Sequence, residues 1–532
     1  MNIVPDRPDA SDRIRMAVFL PPSPAPQVVE YAKPRYGAEP TMVQSHGYRY
    51  VVTGNTLLPP ATVQKILRTA ATPKDALASL LKAYQGEGYP LVAITGKVEG
   101  KEVRIAVFQG MITELNTEDG LGWFYGSLSG RNDVRNDELL RRQIMAGLYA
   151  ARSGKKVAVN LGPAANPDGS ALDVTESAVP DYFPISGAVT FGNYGSRYSS
   201  GYVLGGDAAA NLTHGVQITA GYLQGLPGLS QNSYGSSYEQ GQFGASVVTP
   251  YGIYGISASR IYFRLGDATF PLNPKGDVDS FQLNGTQLVY ADRATRASLT
   301  EALTRVSYKE TVFNGLFTLL DQPYNYVSLG LNVNHSLTLG SLPGNLAGGI
   351  SFNMGISGPA GTLVDGEPGF PTSHFRYTGL TLAYHQTLPL GFQADLTSQA
   401  QWAANTLPSQ QQWILGGFGN LSAWEPGVVV GDSGYVTRLE IDGPALARSG
   451  ASARLGGFLE TGGSTFTTSP PGSPPWQTLS DAGLSLRLQL PYGFSATAMA
   501  ATPISENGFD AIGNATLKVE RMNAFFVVQK AF

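Results

Sequence analysis

"GVQITAGYLQGLPGLSQNSYGSSYEQGQFGASVVTPYGIYGISASRIYF", residues 215–263, holds three runs in which apolar and polar residues alternate. A long connection rich in Gly, Ser and Asn separates the first two, and the tight Pro250–Gly252 turn joins the second to the third. Alternation with period two places one set of side chains on each face of a strand. Short turns at one end and long loops at the other are the pattern of a transmembrane antiparallel barrel.

The same texture runs from Pro184 to Phe532. Tight connections recur at Thr213–Gly215, Leu388–Gly391 and Leu490–Gly493, and long ones at 358–373 and 464–477. Counting the runs predicts sixteen strands, an even number as expected of a bacterial outer-membrane barrel. Closure matters because an open sheet edge in lipid leaves backbone groups without partners. The last run, "AFFVVQKAF" (524–532), places Phe526, Val528 and Phe532 on one lipid-facing side, a C-terminal barrel signal. Lys530 interrupts that side near the rim, where a long cationic side chain reaches water.

Composition agrees. Only 14% of residues are charged, against roughly 25% in soluble globular chains, while Tyr and Phe are plentiful. No run approaches the ~18–20 apolar residues of a membrane-spanning helix. The chain has no Cys, hence no disulfide framework or thiolate metal site, and its formal charge of −4 argues against nucleic-acid binding. The first residues, "MNIVPDRPDASDRIRMAVFLPPSPAP", contain no useful signal-peptide core, as expected either of a chain that is not exported or of a mature chain with its signal removed and a Met added, and the barrel-like remainder favours the second. A soluble propeller is the alternative for the strands, but no blade-length repeat is present.

From about Tyr48 to Ala178 the texture is different. "ATVQKILRTA" and "PKDALASLLKAYQGEGY" space apolar residues three and four apart, as amphipathic helices do, and short strands flank them. A weaker second copy follows, with "MITELNTE", "DELLRRQIMAGLYA", "KKVAVNLGP" and "SALDVTESA". The expected division is a plug or linker segment at 1–43, two α+β units at 44–111 and 112–180, and the barrel at 181–532.

These residues together resemble the two-partner secretion transporters of the outer membrane, the haemolysin secretion/activation type of the POTRA–barrel superfamily. "YRYVVTGNTLLPPATVQKIL" is similar to the opening of a first POTRA domain, and "AYQGEGYPLVAIT" to its helix end and following strand. "FGNYGSRYSSGY" (191–202) resembles the first extracellular turn of these barrels. The resemblance implies POTRA domains in the periplasm of a Gram-negative bacterium and a barrel in its outer membrane. It implies export of an unfolded, β-helical partner exoprotein, contact with outer-membrane lipid, and help from the barrel assembly machinery during biogenesis. The alternatives are an insertase of the same superfamily and, from a different class, a passive porin.

The resemblance also singles out a loop at 404–432 that folds into the barrel. Gly416, Gly417, Gly431, Asp432, Gly434, Tyr435 and Arg438 match its flanks, and Leu421, Ser422, Ala423 and Trp424 align with its tip. In the family the tip carries an Arg that pairs with an Asp on the thirteenth strand, in a Phe-x-Asp-x-Gly pattern. Here Ser422 stands at the Arg position, and the strand reads Phe458, Leu459, Glu460, Thr461, Gly462. An Arg–carboxylate latch is bidentate and charge-assisted, whereas Ser offers one hydroxyl. The expectation is a loop that enters the barrel held by Trp424 packing instead of an ion pair, with a weaker Ser422–Glu460 hydrogen bond open to it; the alternative is an ordinary extracellular loop.

In the first POTRA unit, "YPLVAIT" (Tyr89, Leu91, Val92, Ala93, Ile94 and Thr95) is the candidate strand edge for an extended client, held by backbone hydrogen bonds. No nucleophile elbow, zinc-protease motif or phosphate loop occurs, and His46, His214, His335, His374 and His385 are scattered. The expected protein is therefore not an enzyme and uses no cofactor or metal.

Overall fold

The computed structural model describes residues 39–118, 120–164, 169–196, 198–229, 235–468, 476–508 and 524–532. Most of the expected plug or linker segment lies outside them.

The first unit is a four-stranded sheet under two helices. Its strands are β1 (Thr41–Ser45), β2 (Tyr48–Thr53), β3 (Val92–Glu99) and β4 (Glu102–Gln109), in the order β1-β2-β4-β3. Helices α1 (Pro60–Thr69) and α2 (Pro73–Gly86) each begin with Pro in the first turn, where no intrahelical donor is needed. The Thr72 hydroxyl caps α2 by accepting from the Asp75 N–H at 3.2 Å. Val63, Leu67, Ala76, Leu80 and Tyr84, on one face of the helices, pack against alternate sheet residues Tyr50, Val52, Val103, Ile105 and Val107. The sheet starts at Thr41, ahead of the expected boundary at 44.

The second unit has β5 (Met111–Thr117), α3 (Gly122–Tyr125), α4 (Asn136–Ala151), β6 (Lys155–Pro163) and β7 (Gly169–Ala178), with strand order β5-β7-β6. Its α4 start caps the end of α2. The Asn136 N–H donates to Gly88 O at 2.7 Å, and Arg135 donates to Glu87 O at 2.9 Å. The Arg135 guanidinium also lies 5.5 Å from the Tyr89 ring centroid. Tyr89 therefore belongs to the junction between the units, while β3 beyond it forms a sheet edge.

The barrel opens with β8 (Ile185–Gly192), β9 (Val203–Asn211), β10 (Val216–Gly225), β11 (Ser237–Val248), β12 (Ile253–Arg264), β13 (Lys275–Ala291) and β14 (Thr295–Val312). It continues through β15 (Phe317–Leu339), β16 (Leu342–Gly355), β17 (Arg376–Thr387) and β18 (Gln393–Ala403). A loop containing the short pair β19 (Trp413–Leu415) and β20 (Val429–Gly431) then intervenes. The wall resumes with β21 (Ser433–Asp442), β22 (Leu446–Arg448), β23 (Ala451–Thr465), β24 (Gln477–Leu490), β25 (Phe494–Asn507) and β26 (Ala524–Ala531). Since β22 prolongs β21 along β23, the wall has sixteen antiparallel positions, and β26 closes it on β8 from Val527↔Gly192 to Ala531↔Ala188.

Alternation sorts the two faces. On β14, Thr304, Val306, Tyr308 and Glu310 are buried inside, and Leu303, Arg305, Ser307 and Lys309 are exposed outside. On β26, Phe525 points into the interior cluster, Val528 and Phe532 are exposed, and Phe526 packs on Phe191 and Tyr202 at the closing seam. Lys530 turns back to donate to the carbonyls of Tyr492 and Ala531. One connection departs from the alternation of loop lengths. Only residues 313–316 join β14 to β15 on the long-loop rim, because those strands, 18 and 23 residues long, themselves project beyond the ~10 residues a span needs.

The second α+β unit is docked on the other rim. Arg152, just after α4, donates to Gly215 O at 2.7 Å, Ser246 O at 2.9 Å and Ser246 Oγ at 3.0 Å. Val248, Ile253 and Leu288 of the barrel join the apolar core of that unit.

Candidate functional site: a loop across the barrel interior

The loop at 404–432 leaves β18 and crosses the bore. On one side the Ser409 N–H donates to Gln322 Oε1 of β15 at 2.9 Å. Gln411 Nε2 donates to the Tyr324 hydroxyl at 3.0 Å, and its Oε1 accepts from Tyr377 at 2.8 Å. On the other side Phe418 meets Phe525 of β26, ring centroids 6.1 Å apart. The tip is buried with Phe458, Leu479, Met499 and Ala501, on the inner faces of β23, β24 and β25.

Two flank glycines allow the sharp reversal. Gly416 and Gly417 have φ of +100° and +108°, and a Cβ on Gly416 would lie 2.1 Å from Glu425 O. Gly431 and Gly434 admit close neighbours, the Thr465 backbone and the Trp413 ring. Asp432 is buried, and its carboxylate accepts from Leu407 N–H at 2.9 Å and Thr467 N–H at 2.8 Å, fastening both ends of the loop to the next one. Tyr435 packs on Trp476 at 6.0 Å.

At the tip, Leu421 adopts the left-handed conformation, with φ of 64°. That turn aims two successive backbone donors at the wall. Ser422 N–H donates to Glu460 Oε2 at 2.6 Å, and Ala423 N–H donates to Asp481 Oδ2 at 2.9 Å. Such paired amides form an anion-binding concavity, here filled by side-chain carboxylates. The Ser422 hydroxyl stays within the loop and accepts from Gly419 N–H at 3.1 Å. Trp424 is fully buried, and its indole N–H has no acceptor among the described residues, so its contact is apolar.

The guanidinium beside Glu460 comes from the wall. Arg438 on β21 donates to Glu460 Oε1 at 2.5 Å and to Glu440 Oε2 at 3.0 and 3.1 Å. It also lies over the Phe458 ring, 3.8 Å from the centroid. Arg487 of β24 donates to Glu440 at 2.7 Å and to Asp442. Gly462, the last position of the strand pattern, leaves room for Leu421, whose Cδ1 would lie 3.1 Å from an added Cβ.

The structure thus brings Leu421, Ser422, Ala423, Trp424, Arg438, Phe458, Glu460 and Gly462 together. Sequence reasoning missed Asp481, Gln322, Tyr324 and Tyr377. Asp481 stands opposite Glu460, a relation visible only with the β23–β24 register. The other three are ordinary inward polar residues that nothing in the sequence distinguishes.

Among the described residues no group of three or more His, Asp or Glu side chains forms a metal site, and no helix is long and apolar enough to cross a membrane.

Comparisons with known proteins agree with this architecture. The chain is 24% identical over 321 residues to the outer membrane transporter CdiB of Dickeya dadantii, covering 58% of this chain and 55% of that one. It is 25% identical over 268 residues to the heme/hemopexin transporter protein HuxB of Haemophilus influenzae, covering 48% and 44%. The matched stretch thus spans about half the length of these relatives. Among solved structures, CdiB from Escherichia coli superposes with a TM-score of 0.74 at 17% identity, covering 96% of this chain and 94% of that one. CdiB from Acinetobacter baumannii gives 0.65 at 13%, covering 96% and 93%. The sequence pattern of the haemolysin secretion/activation protein family ShlB/FhaC/HecB matches residues 169–465, more than half of the chain, which is therefore a member of that two-partner secretion family of the Gram-negative outer membrane.

Proposed function

We propose that this chain exports an unfolded partner exoprotein, with the POTRA units as the receiving surface and the barrel as the path. The carrying observation is the loop that crosses the bore, hydrogen-bonded to β15 on one side and to β23 and β24 on the other. A passive porin has no use for a docked periplasmic arm beneath such an obstruction. In this reading the loop blocks the pore at rest and moves when a client arrives.

The client first adds to the edge of β3. Among the described residues that strand pairs only with β4, and Thr95–Glu99 are exposed, so backbone groups on its free side are open to an extended chain. Pairing through the main chain makes little demand on client sequence, which suits capture before folding.

The test is site-specific photo-crosslinking in cells that also express a candidate secreted partner exoprotein. A photoreactive residue at Thr95 is expected to capture the client. One at Gln44 on β1, the opposite edge, is not. Equal capture at both positions, or none at Thr95, would refute the β3 edge. Normal surface display after deletion of residues 40–178 would refute the export reading itself.

A further inference from the structure

The outer wall across β11 to β14 carries a feature that the transport path does not use. Register places Ala245, Ile256, Leu283 and Leu303 in one outward row, and Phe243, Ala258, Phe281 and Arg305 in the next. Then come Gly241, Arg260, Asp279 and Ser307, followed by Glu239, Tyr262, Asp277 and Lys309. Within these rows the surface changes from wholly apolar to charged and aromatic. This change lies on the side away from the Pro250–Gly252 turn where the POTRA arm docks, so it marks the headgroup level of the outer leaflet.

A groove of about 570 Å³ sits at that boundary. The Phe243 and Phe281 side chains form its walls, because the residue between them in the row is the small Ala258, with Gly241 above it. Arg260 and Arg305 stand at its charged end. Arg260 is 68% exposed and reaches Asp277 and Asp279 only at 3.5 and 3.6 Å, which leaves most of its donors unused. Arg305 makes no ion pair among the described residues. A guanidinium presents planar paired donors that fit phosphate oxygens, and an apolar slot beneath them fits a hydrocarbon chain. Basic pockets at the membrane interface bind anionic headgroups by the same combination.

We propose that this groove is a lipid site. One acyl chain of a phosphorylated outer-leaflet lipid lies between Phe243 and Phe281, and its phosphate sits on Arg260 and Arg305. Such a lipid would fix the barrel's height and rotation in the membrane at the strands nearest the POTRA dock.

Native mass spectrometry of the full chain, with bisphosphorylated lipid A as the probe, tests this. The double variant Arg260→Ala, Arg305→Ala is expected to retain lipid A about tenfold less than the wild type, as loss of charge-assisted bonds implies. Ala258→Trp fills the groove from the lipid side and is expected to lower retention as well. Dephosphorylated lipid A should bind the wild type as poorly as lipid A binds the double variant, and excess inorganic phosphate should leave the adduct in place. Heat-modifiable gel migration shows that each variant is folded. Equal retention in the wild type and both variants overturns the proposal. Displacement by inorganic phosphate overturns it too, by making the site a plain anion site.

Discussion

Ser422 meets Glu460 through its backbone N–H, at 2.6 Å, and not through its hydroxyl. The side chain at this position is therefore not what seats the loop. The carboxylate takes the tip amide on one oxygen and Arg438 on the other, so the charge pair of the latch lies within the wall. Ser422→Ala removes one hydrogen bond inside the loop, at a cost of about 0.5–1.5 kcal/mol. Glu460→Ala leaves Arg438 buried with part of its charge unmatched, a loss of about 3–5 kcal/mol. Because the chain has no Cys, Ser422→Cys is a near-isosteric reporter. A membrane-impermeant maleimide is expected to spare it in the parent and to label it after Glu460→Ala. Equal labelling in both backgrounds would contradict the backbone latch.

Asp481 holds the neighbouring amide of Ala423 and so doubles that latch. Asp481→Asn keeps the acceptor oxygen and size but removes the charge, while Asp481→Ala removes both. The alanine variant is expected to raise the open-pore fraction in planar bilayers, with the asparagine variant closer to wild type. The reverse order would mean that charge, not acceptance from the Ala423 amide, is what matters at Asp481.

Trp424 supplies the apolar half of the anchorage. It is fully buried among Leu421, Phe458, Leu479 and Met499. Trp424→Ala removes that contact and is expected to cost about 3–5 kcal/mol of loop seating. Single-channel recording should then show larger and more frequent openings, and export should fall. Unchanged conductance and unchanged export together would remove Trp424 from the mechanism.

Much of this architecture is legible in the chain because lipid enforces it. Alternation in 215–263 and the rhythm of turns follow from closure and burial, which every strand must obey. The loop is locatable through the family resemblance carried by Gly416, Gly417, Gly431 and Asp432, positions where backbone conformation and close packing constrain residue type. Its mode of attachment is not. A main-chain N–H carries no sequence signature, so residue type alone points to the Ser422 hydroxyl and not to the amide that makes the contact. The pairing of Arg438 with Glu460 is likewise invisible without the β21–β23 register, which sets the two opposite each other. The short β14–β15 turn was hidden because the projection is made of strand, whose alternation does not announce where the membrane ends.

The connection between β16 and β17 has a pH-sensitive clasp. Asp365 accepts from Thr372 Oγ1 at 2.5 Å and Ser373 N–H at 2.8 Å, and its Oδ2 lies 2.7 Å from His374 Nδ1. Burial by itself raises its pKa, but the bonds from Thr372, Ser373 and His374 outweigh it and hold the carboxyl well below the usual range. A depressed folded value means that the contribution is full above the unfolded pKa of about 3.9 and is lost as pH falls toward the folded one. Pepsin nicking within 356–375, normalised to Asp365→Asn at each pH, is expected to be low near pH 4 and to approach the variant as the solution is acidified. A ratio that does not change with pH would show that the clasp does not depend on ionised Asp365.

Arg152 ties the periplasmic arm to the barrel. Its guanidinium donates to two backbone carbonyls and one hydroxyl on the barrel rim, and burial among these neutral partners pulls its pKa below the ordinary value. Tyr182, just beyond β7, holds it in turn, its hydroxyl donating to Arg152 O at 2.8 Å. Gly215 must stay small for this contact, since its Cβ would lie 2.4 Å from the Tyr149 ring. Arg152→Ala removes these three bonds, while Gly215 O keeps the Val248 N–H at 3.0 Å, for a net loss of about 1–3 kcal/mol. Hydrogen exchange is expected to quicken in α4 and in the strands at Gly215 and Ser246, while the core of the first unit around Tyr50 and Leu80 is unchanged. If the arm must stay docked to deliver its client, export should fall in the same variant with pore conductance unaltered. Faster exchange with undiminished export would instead show that the arm works while swinging free, and that the Arg152 contact serves stability alone.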